Sequence, residues 1–195
     1  MNGFERRKEQ KKKSILQASL NLFMKYGIQK VSISEIAKEA QVSQVTIYNY
    51  FGSKNELIQE VIIFYVDKVW EEYEQLFNSD IPFPEKIKQS IFEKTEVAGQ
   101  INEEFFGYFM KEYTNGNSYL ETFYQEKAFP RLIEFFNEGK EQGYIDPNIS
   151  NEAILVFIQM FAEYMRRDDV VPTLLPLTED LTKLFFYGIV GKNEK

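Results

Sequence analysis

Apolar side chains recur along this chain at intervals of three and four residues, and no segment alternates convincingly at every second position. The pattern predicts an all-α fold. A first amphipathic helix is predicted from about Glu5 to Tyr26, with Ile15, Leu16, Leu22, Phe23 and Tyr26 at helical spacing and Gly27 as its stop. Ser32 followed by Glu35 is a capping box that opens a short helix, whose apolar side is Ile33, Ile36, Ala37 and Ala40. After a break at Gln41 and Val42, Ser43 caps a second short helix with Ile47 and Phe51 inward and Gly52 at its end. Ser53 and Glu56 form another capping box. A long helix follows to about Asn78, striped by Ile58, Ile62, Tyr65, Val66, Val69, Tyr73, Leu76 and Phe77 and roughly 39 Å long.

The prolines all lie at or beyond Pro82, so nothing interrupts helix formation before the break at residues 79–85. Beyond it, helices are expected at about 84–98, 102–113, 118–142 with a kink or new start at Pro130, 150–166 and 178–190. Residues 144–148 and 168–176 read as loops. The expected domains are residues 1–55 and 56–195, with the helix 53–78 shared as a connector.

Two short helices joined by a tight turn, with an amphipathic helix before and after them, make the layout of a three-helix helix-turn-helix domain. That layout needs a small residue where the short helices cross, which is Ala37, and apolar anchors after the turn, which are Val42 and Ile47. The second helix then turns Gln44, Val45, Thr46, Tyr48 and Asn49 outward. Gln and Asn can bond adenine edges, Val and the Thr methyl can touch a thymine methyl, and a Tyr hydroxyl can reach a phosphate. The helix starts at Ser32, Ser43 and Ser53 can aim backbone N–H groups at phosphate oxygens.

The run Ile36, Ala37, Ala40, Val42, Ser43, Thr46, Tyr48, Phe51, Lys54 and Leu57 resembles the signature of the tetracycline-repressor (TetR) family of bacterial transcriptional regulators. The preceding LNLFMKYG, residues 20–27, is similar to the end of that family's first helix, and the resemblance covers about the first 60 residues. Gln41 departs from it where the family usually has Gly, and Val45 where Gly or Ala is common. The resemblance implies that Tyr48 and Lys54 contact the DNA backbone, helped by Ser32, Ser34 and Thr46, with Gln44, Val45 and Asn49 reading bases. It further implies a homodimer on a double-stranded palindromic operator. The C-terminal helical domain would bind a small-molecule effector and dimerise, and effector binding would release the operator.

Charge sharpens this division. The net of −7 over 195 residues argues by itself against a nucleic-acid partner. Residues 1–55, however, hold ten Lys/Arg and four acids, a net of +6, and the remaining 140 carry −13. The chain has no Cys and no His, which removes disulfides, thiolate nucleophiles, Cys/His zinc sites and imidazole catalysis. A carboxylate-based di-metal bundle enzyme, the remote alternative, ordinarily uses Glu-x-x-His pairs that this chain cannot build. No metal, cofactor or catalytic residue is therefore expected. Polar residues interrupt the N-terminal apolar stretch, and the longest uninterrupted runs, Val61–Val66 and Ala153–Ile158, are far short of the ~20 residues that span a bilayer. A cytoplasmic protein without membrane contact is expected.

Residues 101–164 contain fifteen Phe or Tyr. Phe105, Phe106, Phe109, Tyr113, Tyr124, Phe129, Phe157, Phe161 and Tyr164 are candidates for an aromatic effector pocket, with plain core as the competing assignment. An acidic body could favour a cationic lipophilic effector, though most of its acids read as surface charge. The helices around Ala153–Met165 and Leu181–Val190 are apolar on more than one face, and the family resemblance assigns them to a four-helix dimer interface. A helix-turn-helix DNA binder without effector control, constitutive or activating, is the alternative.

Overall fold

The computed structural model describes residues 2–98, 101–112, 119–164, 167 and 169–189. Its helices are α1 (Gly3–Tyr26), α2 (Ile33–Glu39), α3 (Gln44–Phe51), α4 (Lys54–Phe77), α5 (Phe83–Ala98), α6 (Glu103–Glu112), α7 (Tyr119–Phe123), α8 (Phe129–Glu141), α9 (Asn151–Tyr164), α10 (Val171–Leu174) and α11 (Thr178–Ile189). A π-helical turn, Tyr124–Ala128, joins α7 to α8, and a 3-10 turn, Leu175–Leu177, joins α10 to α11. The fold is all-α, with no strand among the described residues. The positions 113, 118, 165–166 and 190 that the sequence assigned to helix ends lie outside the described residues.

Two differences from the sequence reading have local causes. Residues 168–176, expected to be loop, contain α10; Pro172 sits in its first turn, where a missing N–H costs nothing. The expected kink at Pro130 takes the form of the π turn. The proline nitrogen cannot donate, and a widened turn in front of it, closed by Phe129 N–H to the Tyr124 carbonyl, keeps the helix continuous.

The chain divides into two compact units, Met1–Val69 with Ile101–Phe109, and Trp70–Gln100 with Met110–Lys195. In the first, α2 packs on α1 and α3. Its interior is built by Ile15, Leu20 and Phe23 of α1, Ile36 of α2, Ile47 of α3, and Leu57 and Val61 of α4, each almost fully buried. Phe105 of α6 is buried against Tyr65, with ring centres 5.9 Å apart and edge to face. In the second unit Phe77, Phe83 and Phe135 form a stacked run, with centroids 4.4 and 4.8 Å apart, over Phe136, Ile145 and Ile154. Gly139 is where α8 meets this run: a methyl there would collide with the Phe83 ring and Ile145. Lys86, buried, gives its ammonium to the Phe77 carbonyl at 2.8 Å and to Glu138 at 3.0 Å, so the C-terminal end of α4 is capped by a charge-assisted bond.

Candidate nucleic-acid interface

The candidate residues are gathered at three helix termini. At the start of α2 the Ser32 Oγ accepts the Glu35 N–H at 3.2 Å, while the Ser32 N–H and hydroxyl donate to the Glu35 carboxylate at 2.8 and 2.7 Å. These bonds hold the Glu35 pKa below its ordinary value, first through the Ser32 hydroxyl, then its backbone N–H, with the charge of Lys54 adding a smaller pull. Ser34 lies exposed in the first turn.

The end of α2 fixes the angle between the two short helices. Val42 N–H bonds the Ala37 carbonyl at 2.9 Å and Gln41 N–H bonds the Lys38 carbonyl at 3.2 Å, the paired bonds of a Schellman termination. That motif needs a left-handed residue, and Gln41 occupies it at φ 55°, the one non-glycine with positive φ among the described residues. The departure from Gly at this position thus leaves the turn intact.

Ser43 caps α3 by accepting the Thr46 N–H at 3.0 Å, and the two hydroxyls lie 2.8 Å apart. With Ile47 and Phe51 buried, α3 shows Gln44, Val45, Tyr48 and Asn49 to solvent on one continuous face; Val45 is 67% and Tyr48 47% exposed. An apolar valine so exposed beside a half-exposed tyrosine and two amide side chains is a mixture chemically able to bond base edges and touch methyl groups. Ser53 opens α4 by accepting the Glu56 N–H at 3.2 Å.

Lys54, the remaining sequence candidate, is only partly exposed, and its ammonium donates to the Ile28 carbonyl at 2.8 Å. One of its three protons therefore pins the α1–α2 corner to the start of α4, leaving two for an outside acceptor. Three further groups shape this unit without any local sequence signal. The Tyr50 hydroxyl of α3 donates to the Lys8 carbonyl of α1 at 3.2 Å. Glu104 accepts the Gln29 N–H at 3.0 Å, and Asn102 N–H donates to the Met24 carbonyl at 2.7 Å, tying the start of α6 to the same corner. Gly27, at φ 84°, holds a backbone conformation that strains any L side chain, and the polar ends of Asn102 and Glu104 lie over it.

Several of the aromatic candidates for an effector pocket pack on neighbouring rings. Phe105 and Phe109 both pack edge to face on Tyr65, and Phe106 is half-buried beside them in sequence. Tyr124 packs on Phe129, with centroids 5.4 Å apart, and Phe157 stacks on Phe185 at 5.6 Å. Phe157 and Tyr164 are half-exposed on α9. Tyr113 and the side chain of Phe161 lie outside the described residues. An open depression of about 570 Å³ is bordered by Asp180, Lys183, Leu184, Tyr187 and Gly188 of α11, and none of the described aromatic candidates lines it.

Fold and interface define a helix-turn-helix protein. Residues 15–61 match the model of the bacterial regulatory proteins of the tetR family. The chain is 28% identical over 82 residues to the HTH-type transcriptional regulator YhgD of Bacillus subtilis, an alignment covering 42% of this chain and 43% of YhgD. Across the first three such relatives it spans 21–43% of their length. Among solved structures it resembles the TetR transcriptional regulator SCO0520 of Streptomyces coelicolor, with a TM-score of 0.62 and 17% identity over 93% of this chain and 99% of that one. The transcriptional regulator FadR of Bacillus subtilis, solved in complex with stearoyl-CoA, gives a TM-score of 0.57 and 20% identity over 90% of this chain and 98% of that one. Residues 15–61 are thus similar to the helix-turn-helix domain of the tetR-family regulators, and the described residues of the remainder are all helical, like those of the solved TetR-type structures.

Proposed function

We propose that this protein is a DNA-binding transcriptional regulator of the cytoplasm, most simply a homodimeric repressor that grips a palindromic operator and is released by a small-molecule effector, with no enzymatic activity. The observation that carries the DNA-binding reading is the exposed face of α3, where Gln44, Val45, Tyr48 and Asn49 stand beside helix starts capped by Ser32, Ser43 and Ser53. In this reading Gln44, Val45 and Asn49 meet base edges, while Tyr48, Lys54, Ser32, Ser34, Ser43 and Thr46 hold phosphates.

Dimerisation is supported by the apolar faces of α9 and α11, where Met160, Leu184 and Tyr187 are 64%, 69% and 71% exposed and Val156, Phe157 and Tyr164 are half-exposed. A monomer leaves so many large apolar groups in water on two helices only at a cost that a two-fold partner removes. An apolar effector is favoured by the aromatic content of residues 101–164 and by the acyl-CoA that the FadR relative binds. The continuous helix α4 carries the connection, and the effector must bind the non-operator state better than the operator-bound one, since tight binding alone shifts nothing.

The test is a random-sequence DNA selection with the purified protein, followed by release assays with acyl-CoAs and other lipophilic candidates. Enrichment of an inverted repeat with half-sites about one DNA turn apart is expected. Recovery of no enriched sequence overturns the DNA-binding reading. Operator affinity and recognition-helix spacing unchanged by any effector that binds would leave a helix-turn-helix protein without effector control.

A further inference from the structure

We propose that the first three turns of α1, residues 3–13, form a second DNA-contacting element: a rigid basic arm that grips the phosphate backbone beside the segment read by α3. This rests on the DNA-binding reading above and extends it to residues outside the matched domain, which begins at residue 15.

The arm carries Arg6, Arg7, Lys8, Lys11, Lys12 and Lys13 against Glu5 and Glu9. Its one large apolar residue is Phe4, which is 70% exposed, so these turns bury no core of their own. These polar turns continue the buried part of α1 toward the N-terminus, and three devices hold them. Asn2 and Glu5 form a capping box at its start, the Tyr50 hydroxyl of α3 holds the Lys8 carbonyl, and Lys12 pairs with Glu60 of α4 at 2.8 Å. Lys12 also lies 6.0 Å from the centre of the Phe51 ring. The Tyr50 bond fixes the arm directly to the helix whose neighbouring residues Tyr48 and Asn49 face the solvent. Lys12 faces inward to its partner, whereas Arg6, Arg7, Lys8, Lys11 and Lys13 stay exposed. Arg7 and Lys11 are one turn apart on one row, and Arg6 and Lys13 two turns apart on another. A rigid, preordered row of cations loses little side-chain and backbone freedom when it meets regularly spaced phosphates. The −13 of the remaining chain outside residues 1–55 makes this the place where added phosphate contact gains most.

The experiment uses the full chain and the operator obtained by selection, comparing the wild type with R6Q/R7Q/K11Q/K13Q and with the charge-preserving R6K/R7K/K11R/K13R. The readouts are hydroxyl-radical footprints and binding at several salt concentrations. The Gln variant is expected to lose backbone protection at the outer edge of each half-site and keep the inner protection. Its salt slope falls by about one for each phosphate it no longer neutralises, and its preferred sequence is unchanged. The charge-preserving variant keeps the wild-type footprint. Unchanged outer protection and slope in the Gln variant overturns the arm while leaving the α3 reading standing. A uniform loss of affinity with the footprint intact also overturns it, because a general field would then account for the cations. A wild type that selects no DNA overturns the α3 reading itself.

Discussion

Gln41 holds the turn on which the angle of α3 depends, and it does so in a backbone region that favours glycine. The same termination ends α8, where Tyr144 N–H bonds the Gly139 carbonyl, Gly143 N–H bonds the Lys140 carbonyl, and the left-handed position is Gly143 at φ 75°. An L-residue at φ 55° has its Cβ crowded against the following carbonyl. Gln41→Gly is therefore expected to stabilise the folded chain by about 0.5–1 kcal/mol, the relief of strain outweighing the added freedom of the unfolded glycine; chemical denaturation at equilibrium measures it. Glu35 offers a second test at this scale. Its folded pKa lies below its unfolded one, so its contribution is present above the unfolded carboxylate range, about pH 4.3, and is lost as pH falls through the lower folded value. The stability gap between the wild type and Glu35→Gln should be full near neutrality and close under acid, read from denaturation midpoints across that window. A gap independent of pH would mean that the carboxylate charge is not what the Ser32 donors stabilise. The capping partners of Glu35 were legible from a three-residue spacing, whereas the left-handed Gln41 was visible only as a departure from glycine.

Among elements, α3 is a short helix whose surface carries more than packing requires. Its buried side needs just Ile47 and Phe51, and its outer face is free to carry recognition chemistry. Tyr48→Phe and Lys54→Ala are expected to weaken binding to specific and random DNA alike, while Gln44→Ala and Asn49→Ala should relax preference at single base positions, each by about 1–3 kcal/mol. Competition binding against a panel of operator variants separates the two patterns; equal loss on all DNA for the second pair would remove their base-reading role. Lys54→Ala should in addition lower the denaturation midpoint, because its ammonium also holds the Ile28 carbonyl. Caps, glycine stops and the 3.6-residue stripe made α1 to α4 readable, since all of those signals act within a few residues. The short α10 was not readable, for it has too few residues to show a period, and its proline suggested a loop. The π turn before Pro130 is a local answer to a local defect, closed by the Phe129 N–H on the Tyr124 carbonyl.

At the scale of the whole molecule, the proposed dimer rests on the exposure of Met160 on α9 and of Leu184 and Tyr187 on α11. Met160→Glu combined with Leu184→Glu is expected to convert a dimer into monomers, with light scattering after gel filtration as the measurement, and to abolish cooperative occupation of a two-half-site operator. A variant that stays dimeric would move the interface elsewhere. The charge division between residues 1–55 and the remainder also belongs to this scale, because no single residue shows it. The amino-acid sequence by itself determined the helices α1 to α4, the serine caps of α2 to α4, the helix-turn-helix order and the absence of Cys and His chemistry, since each depends on neighbours along the chain or on composition. Only the tertiary structure decided that Tyr50 holds Lys8, that Lys54 holds Ile28, that Glu104 holds Gln29 and that Lys86 holds Glu138. These pairs are separated by 42, 26, 75 and 52 residues, and no periodicity reaches that far. It likewise decided which aromatic rings pack on which, such as Phe105 and Phe109 on Tyr65 and Phe157 on Phe185, because ring geometry depends on which helices meet and not on how many rings a segment contains.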